Sequence, residues 1–182
     1  LNHSRQLFLR NIMHELKTPI TKGRISAEML ENSKQKERLI STFEKLELLI
    51  NEFASIEQIT SGEGLKNVKP YLLVDLLDEA IDLAMILPEQ VENEIIDEEI
   101  ILHVDFRLFT TAMKNVIDNG IKYSSDQKIK ILATRSKISF ISHGKPLTKE
   151  LSHYLDPFVQ EKNSHQSFGL GLYIVQNIIK AH

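Results

Sequence analysis

The first sixty residues of this 182-residue chain carry the apolar spacing of two long helices, and that spacing restricts the fold more than any other feature. Five apolar residues of the second helix recur at alternating steps of four and three, the spacing of a bundle seam: Leu39, Phe43, Leu46, Ile50 and Phe53. The polar stretch 31–36 predicts a hairpin of helices over 1–32, broken only at Pro19, and 33–60. Two such helices bury too little core alone, so we expect two copies to form a four-helix bundle.

The hydrophobic pattern changes from helical to mixed after Ser61-Gly62-Glu63-Gly64, which predicts a boundary between domains 1–61 and 65–182. The elements expected in the second domain are, in chain order, a strand over 68–73, a helix over 74–87, strands over 94–96 and 100–104, a helix over 105–123, strands over 128–133 and 137–142, and a helix over 169–181. This mixture is typical of an α/β sandwich with one layer of helices and one of strands.

The composition excludes several classes of protein. The net charge of −3 gives none of the bulk basicity of nucleic-acid binders, and 42% hydrophobic residues suffice for a proper core. The absence of cysteine excludes a disulfide scaffold, a thiol nucleophile and a cysteine zinc site. Because no apolar run approaches the ~18–20 residues that span a bilayer, we expect the chain to work in the cytoplasm.

One histidine lies on the side of the first helix away from the seam. At ~100° per residue, Ile12, Leu16, Gly23, Ala27 and Leu30 fall opposite His14, whereas Arg10, Asn11, Lys17, Thr18 and Thr21 share its side. A helical zinc-protease motif would need a histidine at position 18, where Thr18 stands. A neutral imidazole is a competent nucleophile, Glu15 could orient it or accept its proton, and Thr18 could position a water. A merely solvated histidine remains the alternative.

The predicted helix over 105–123 has a second polar face. Steps of four and three place Asn115, Asn119 and Lys122 on that face, opposite an apolar set of Phe109, Met113, Val116, Ile117 and Ile121. Amide oxygens are suitable ligands for Mg²⁺, and a lysine pairs with phosphate oxygens. A solvated helix face is the alternative interpretation.

The glycines of Phe168-Gly169-Leu170-Gly171-Leu172 precede the last predicted helix, so backbone N–H groups there could approach a phosphate. Taken alone this is a weak signal, since such glycines often only form a turn. The chain has no Gly-x-x-x-x-Gly-Lys-Ser/Thr loop and none of the His-Arg-Asp or Asp-Phe-Gly elements of protein kinases.

Residues 8–19, with His14-Glu15-Leu16-Lys17-Thr18-Pro19 at their end, closely resemble the H-box of sensor histidine kinases of two-component systems. Residues 115–123 and 168–175 resemble the N-box and the last glycine box of the same kinases, in the same order. The resemblance implies that His14 is autophosphorylated from ATP, that Glu15 assists as base, and that Thr18 takes part in dephosphorylating a partner response regulator.

For the second domain the resemblance implies a Bergerat-type ATP-binding fold. Asn119 is then the Mg²⁺ ligand and Asn115 its support, while Lys122 and Tyr123 border the phosphates. Gly169, Gly171 and Leu172 belong to the glycine box, Phe158 resembles the family's F-box phenylalanine, and residues 159–168 form a polar lid over ATP.

The adenine loop departs from the family pattern. In Ser142-His143-Gly144, Ser142 replaces an aspartate that accepts a hydrogen bond from the adenine amino group; Pro146 and Ser167 each replace a glycine. Losing a charge-assisted bond costs about 1.5–3 kcal/mol, or one to two decades of affinity. The alternative is therefore a dimeric signalling or phosphatase module that is catalytically weak or inactive.

The resemblance also implies partners and a location. These are a homodimer formed through residues 1–60 and a cognate response regulator, without nucleic acid. The parent protein is expected in the inner membrane, held there only by segments upstream of Leu1, with this part in the cytoplasm. Because the family continues into a strand hairpin beyond the equivalent of His182, the ATP-binding domain is expected to be truncated at its C-terminus.

Overall fold

A computed structural model describes residues 2–60, 67–95, 99–159 and 169–182. The chain divides into two compact units, Leu1–Gly64 and Leu65–His182. Residues 61–64, at which the sequence predicts the domain boundary, lie outside the described residues. The order of a helical unit and a mixed α/β unit confirms the fold class expected from the sequence.

The first unit is an α-helical hairpin of α1 (Asn2–Glu28) and α2 (Lys34–Thr60). The prediction of a helix broken at Pro19 is wrong, because α1 continues through it: a proline removes one N–H donor, and the turns on both sides keep theirs. The helices approach closely at Gly23, where a Cβ atom would lie 2.5 Å from the Phe43 ring. Ala27 and Ile50 are buried in the same contact.

The second unit contains two small sheets. Strands β1 (Val68–Leu72) and β3 (Ile101–Asp105) form an antiparallel pair with Val68 opposite Asp105. In the other sheet, β4 (Ile129–Thr134) lies between β2 (Val91–Ile95), to which it is parallel, and β5 (Lys137–Ile141), to which it is antiparallel. The helices of this unit are α3 (Leu73–Ala84), α4 (Phe106–Lys122), the short α5 (Leu151–Tyr154) and α6 (Gly171–Ala181).

The core of this unit lies between the helices and the three-stranded sheet. Alternate residues of β4 point inward, as a strand with one buried face requires, and they meet the apolar faces of α3 and α4. The buried residues of this core are Leu73, Leu76, Leu77, Ala80, Ile100, Val104, Met113, Ile117, Ile129, Ile131 and Ala133. Gly120 permits the close approach of α4 to β4, since a Cβ atom there would lie 2.4 Å from Ile129 Cδ1. On its other side α4 packs against α6, which buries Ile174 and Ile178.

Several element bounds differ from the sequence prediction. The helix predicted to reach residue 87 ends at Ala84, because Met85 adopts the left-handed conformation with φ of 51°. The strand predicted over 94–96 is β2, which starts at Val91, directly after a 3₁₀ turn at Pro88–Gln90. The last helix begins at Gly171, since Gly169 has a φ of 71° that a helix does not allow. Helix α5 was not predicted.

Candidate functional site

His14 lies near the middle of α1, and its side chain is outside the described residues. Its two predicted neighbours are described, and both Glu15 and Thr18 are exposed. Because α1 is helical throughout this stretch, Thr18 is one turn after His14 on the same face, while Glu15 is displaced by about 100°.

Polar contacts join α1 to α2 within the next two turns after His14. Lys17 Nζ donates to Asn51 Oδ1 at 3.3 Å, and Thr21 Oγ1 donates to Glu47 Oε1 at 3.0 Å. The prediction that Lys17 and Thr21 point away from the second helix is therefore wrong. They lie at the flank of the helix contact, where a polar side chain can reach across, and Arg24 also pairs with Glu47 there at 3.4 Å.

In the second unit, the polar face of α4 meets the first residue of α6. A Cβ atom at Gly171 would lie 3.6 Å from Asn119 Nδ2 and 3.9 Å from Cβ and Cγ of Asn115. Three residues predicted from two separate motifs are thus brought together, and the adjacent Leu172 is half-buried. The missing side chain of Gly171 leaves the Asn119 amide uncovered on this side, and an amide oxygen is a donor type that Mg²⁺ accepts.

The end of α4 continues the same surface. Lys122 Nζ lies 5.2 Å from the centre of the Tyr123 ring, within the range of a cation–π contact. Both side chains are exposed, as a site open to a ligand requires.

The loop after β5 is fastened to the residues that follow α4. The Ser125 N–H and hydroxyl groups both donate to the His143 carbonyl, at 2.7 and 3.0 Å. Gly144 pairs with Ser124, and a Cβ atom at Gly144 would lie 2.8 Å from the Tyr123 carbonyl oxygen. Ser142 is therefore held near the end of α4, with its side chain exposed.

Asp126 stabilises the turn that makes these contacts. It accepts a hydrogen bond from the Ser124 hydroxyl and another from the Lys128 N–H at 3.2 Å, and His143 Nδ1 is 3.7 Å away. The Ser124 hydrogen bond, followed by those from backbone N–H groups, holds the pKa of the Asp126 carboxyl below its ordinary value.

Phe158 and Gly169 hold the two ends of the segment between them side by side. The Phe158 N–H donates to the Gly169 carbonyl at 3.0 Å, and both residues have positive φ, 65° and 71°. A Cβ atom at Gly169 would lie 2.3 Å from the Val159 carbonyl, so only glycine fits there. Except for Val159, the predicted lid over 159–168 lies outside the described residues, and this includes Ser167 and Phe168.

The far ends of α4 and α6 are also joined. Asp105 caps α4 by accepting from the Leu108 N–H at 3.2 Å, and its own N–H donates to His182 Nε2 at 3.0 Å. His182 Nδ1 lies 2.8 Å from the Ile178 carbonyl, so Nδ1 carries the proton. This connection fixes the relative position of the helices that carry Asn119 and Gly171.

Among the described residues, no three histidine, cysteine or carboxylate side chains cluster as a metal site would require. The same part of the chain contains no helix that is both long enough and apolar enough to cross a membrane.

Two family models match the chain. Residues 4–62 match the His Kinase A (phospho-acceptor) domain, and residues 104–182 match the histidine kinase-, DNA gyrase B- and HSP90-like ATPase. Sensor histidine kinase ArsS of Helicobacter pylori is 40% identical over 185 residues, which cover all of this chain and 43% of ArsS. The chain belongs to the sensor histidine kinases.

A second curated relative is similar in sequence, and two solved structures are similar in fold. The kinase HK06 of Streptococcus pneumoniae is 28% identical over all of this chain and 44% of its own length, so the chain spans less than half of these curated relatives. Full-length ShkA in complex with AMPPNP has the same fold, with a TM-score of 0.69 at 19% identity over 95% of this chain and 40% of that one. AdeS of Acinetobacter baumannii has a TM-score of 0.62 at 22% identity, over 92% of this chain and 86% of that one.

The match of residues 104–182 to this ATPase family implies the use of ATP. The motifs did not predict the turn of Ser124, Ser125 and Asp126, although its composition is typical of turns. They also missed Asp105 and His182. An aspartate before a helix is an N-cap signal, whereas no sequence pattern indicates that His182 contacts it.

Proposed function

We propose that this chain is the kinase core of a sensor histidine kinase, which transfers the γ-phosphoryl group of ATP to His14 and then to an aspartate of a response regulator. The observation that carries the proposal is the meeting of Asn115 and Asn119 on α4 with Gly171 at the start of α6. Two motifs separated by about fifty residues in sequence converge there on one polar surface.

The proposed nucleotide site lies along this surface. The N-terminus of α6, with Gly169, Gly171 and Leu172, offers backbone N–H groups to phosphate oxygens, and Lys122 adds a positive charge. Mg²⁺, held by the Asn119 amide oxygen with Asn115 beside it, would neutralise charge on the triphosphate. We place the base against Ser142 and Gly144, with Tyr123 and Phe158 at the border of the site.

The chemistry at α1 is an in-line displacement. A His14 ring nitrogen attacks the γ-phosphorus, an N–P bond forms, the bond from phosphorus to the bridging oxygen breaks, and ADP leaves. Glu15 takes the proton that the imidazole loses, so the product remains a neutral ring with a phosphoryl substituent. The protein contributes mainly by positioning the reactants and neutralising charge. Thr18 is exposed one turn away, where it can orient a water for dephosphorylation of the regulator.

We propose that the dimer forms through residues 1–60. Leu39, Leu46 and Phe53 follow each other at intervals of seven on α2, and each is about two-fifths exposed, as is Leu16 on α1. A heptad stripe of large apolar residues at the surface of a hairpin is the pattern of a helix-bundle interface. The parent protein is proposed to lie in the inner membrane, with this part in the cytoplasm.

A second candidate function is a dimeric signalling or phosphatase module with weak or no kinase activity. Ser142 and Pro146 favour it, because they remove the aspartate and a glycine of the family's adenine loop. Such a module would keep Glu15 and Thr18. It would show no affinity for Mg·ATP in the micromolar to low millimolar range.

Incubation of the full-length protein with Mg²⁺ and γ-labelled ATP tests the proposal. We expect acid-labile label that disappears in His14→Ala and persists in the matched control His103→Ala, whose histidine is exposed on β3. Label that survives His14→Ala would exclude His14 as acceptor. A folded dimer that takes up no label would favour the phosphatase or signalling module.

A further inference from the structure

We propose that the nucleotide site accepts guanine as well as adenine nucleotides, because the group that faces the base is a hydroxyl rather than a carboxylate. This inference rests on the proposed function, since it concerns the base bound in that same site. Its physical support is the structure of the loop that carries Ser142.

Ser142 is held at the border of the proposed site. It follows β5 directly and its side chain is exposed. Two residues later, Gly144 pairs with Ser124 and leaves no room for a Cβ atom against the Tyr123 carbonyl. The loop is thus attached to the residues that follow α4, and Ser142 lies directly before the residues that make this attachment.

The His143 carbonyl, a backbone acceptor next to Ser142, is already occupied by hydrogen bonds within the protein. The His143 carbonyl already accepts two hydrogen bonds, from the N–H and the hydroxyl of Ser125, at 2.7 and 3.0 Å. A carbonyl oxygen has two lone pairs, so the capacity of this one is filled. This carbonyl is therefore not available to the base, and the Ser142 hydroxyl is the side-chain group that we propose to contact it.

A hydroxyl and a carboxylate form different hydrogen bonds with the base. The 6-amino group of adenine donates a hydrogen bond, whereas guanine presents an accepting oxygen at the same position. An ionised carboxylate only accepts, so it binds adenine and repels guanine. A hydroxyl accepts from adenine or donates to guanine by rotating about its C–O bond. Loss of the charge-assisted contact removes a preference of about ten- to a hundredfold.

The test compares kcat/KM for autophosphorylation of the full-length protein with ATP and with GTP. We expect the two values to agree within about tenfold in the wild type. Ser142→Asp should increase the preference for ATP by about ten- to a hundredfold. The matched control is Ser136→Asp, which adds the same charge at the exposed turn on the opposite end of the β4–β5 hairpin and should leave the ratio unchanged.

A wild-type preference for ATP above about a hundredfold, or a ratio that Ser142→Asp does not change, would overturn the proposal. If neither nucleotide labels the protein, the proposed kinase function fails, and the base preference is measured by displacement of trinitrophenyl-ATP. Displacement by ATP and GTP at similar concentrations then still supports the inference, and displacement by ATP alone overturns it.

Discussion

Asn119 holds the central position of the proposed site, because its amide is the group nearest to the space beside Gly171. Its neighbour Asp118 is equally part of the N-box motif but forms a surface ion pair with Lys114 at 2.5 Å. Two adjacent residues of one motif therefore have different roles: Asn119 faces α6, and Asp118 forms an ion pair within α4.

We expect Asn119→Ala to abolish autophosphorylation, since the variant loses the proposed Mg²⁺ ligand, while dimerisation is unchanged. Asp118→Ala, which removes only an exposed ion pair worth about 0.3–0.5 kcal/mol, should keep most of the activity. Labelling with γ-labelled ATP and analytical ultracentrifugation measure the two properties. Full activity in Asn119→Ala would refute the ligand assignment.

The two faces of α4 could be predicted because both follow from the spacing of polar and apolar residues within the helix itself. Asn115, Asn119 and Lys122 are separated by a turn each, and the structure keeps them on one side of the helix. The contact of Ser125 with His143 could not be predicted, since eighteen residues separate them and neither residue type favours the other. The sides of Lys17 and Thr21 were predicted wrongly, because helical periodicity does not say how far a polar side chain reaches across a helix contact.

At the scale of elements, α1 packs closely against α2 at one small residue, Gly23. We expect Gly23→Ala to destabilise the hairpin by about 1–3 kcal/mol, because its Cβ atom would overlap the Phe43 ring at 2.5 Å. Urea unfolding of the first unit, followed by circular dichroism, measures the change.

Phe43→Leu in the Gly23→Ala background should recover part of this loss, since the smaller side chain leaves space for the added methyl group. A matched control is Ser26→Ala, which lies near Gly23 on an exposed part of α1. Equal effects of Gly23→Ala and Ser26→Ala would show that the close approach is not the cause.

For the whole molecule, assembly is expected to depend on the stripe of Leu39, Leu46 and Phe53. Leu46→Glu should convert the dimer to a monomer, because a charge at the centre of a helix-bundle interface is costly to bury. Sedimentation velocity measures the mass. Leu83→Glu, at a somewhat more exposed leucine of the second unit, is the control and should stay dimeric. A Leu46→Glu dimer of unchanged affinity would place the interface elsewhere.

The pairing of Phe158 with Gly169 has a consequence for how this protein and its relatives can diverge. Their hydrogen bond brings together the two positions that flank residues 159–168, and the φ of 71° at Gly169 excludes a Cβ atom there. A relative that keeps this pairing must therefore keep glycine at this position, whatever residues it carries between the two.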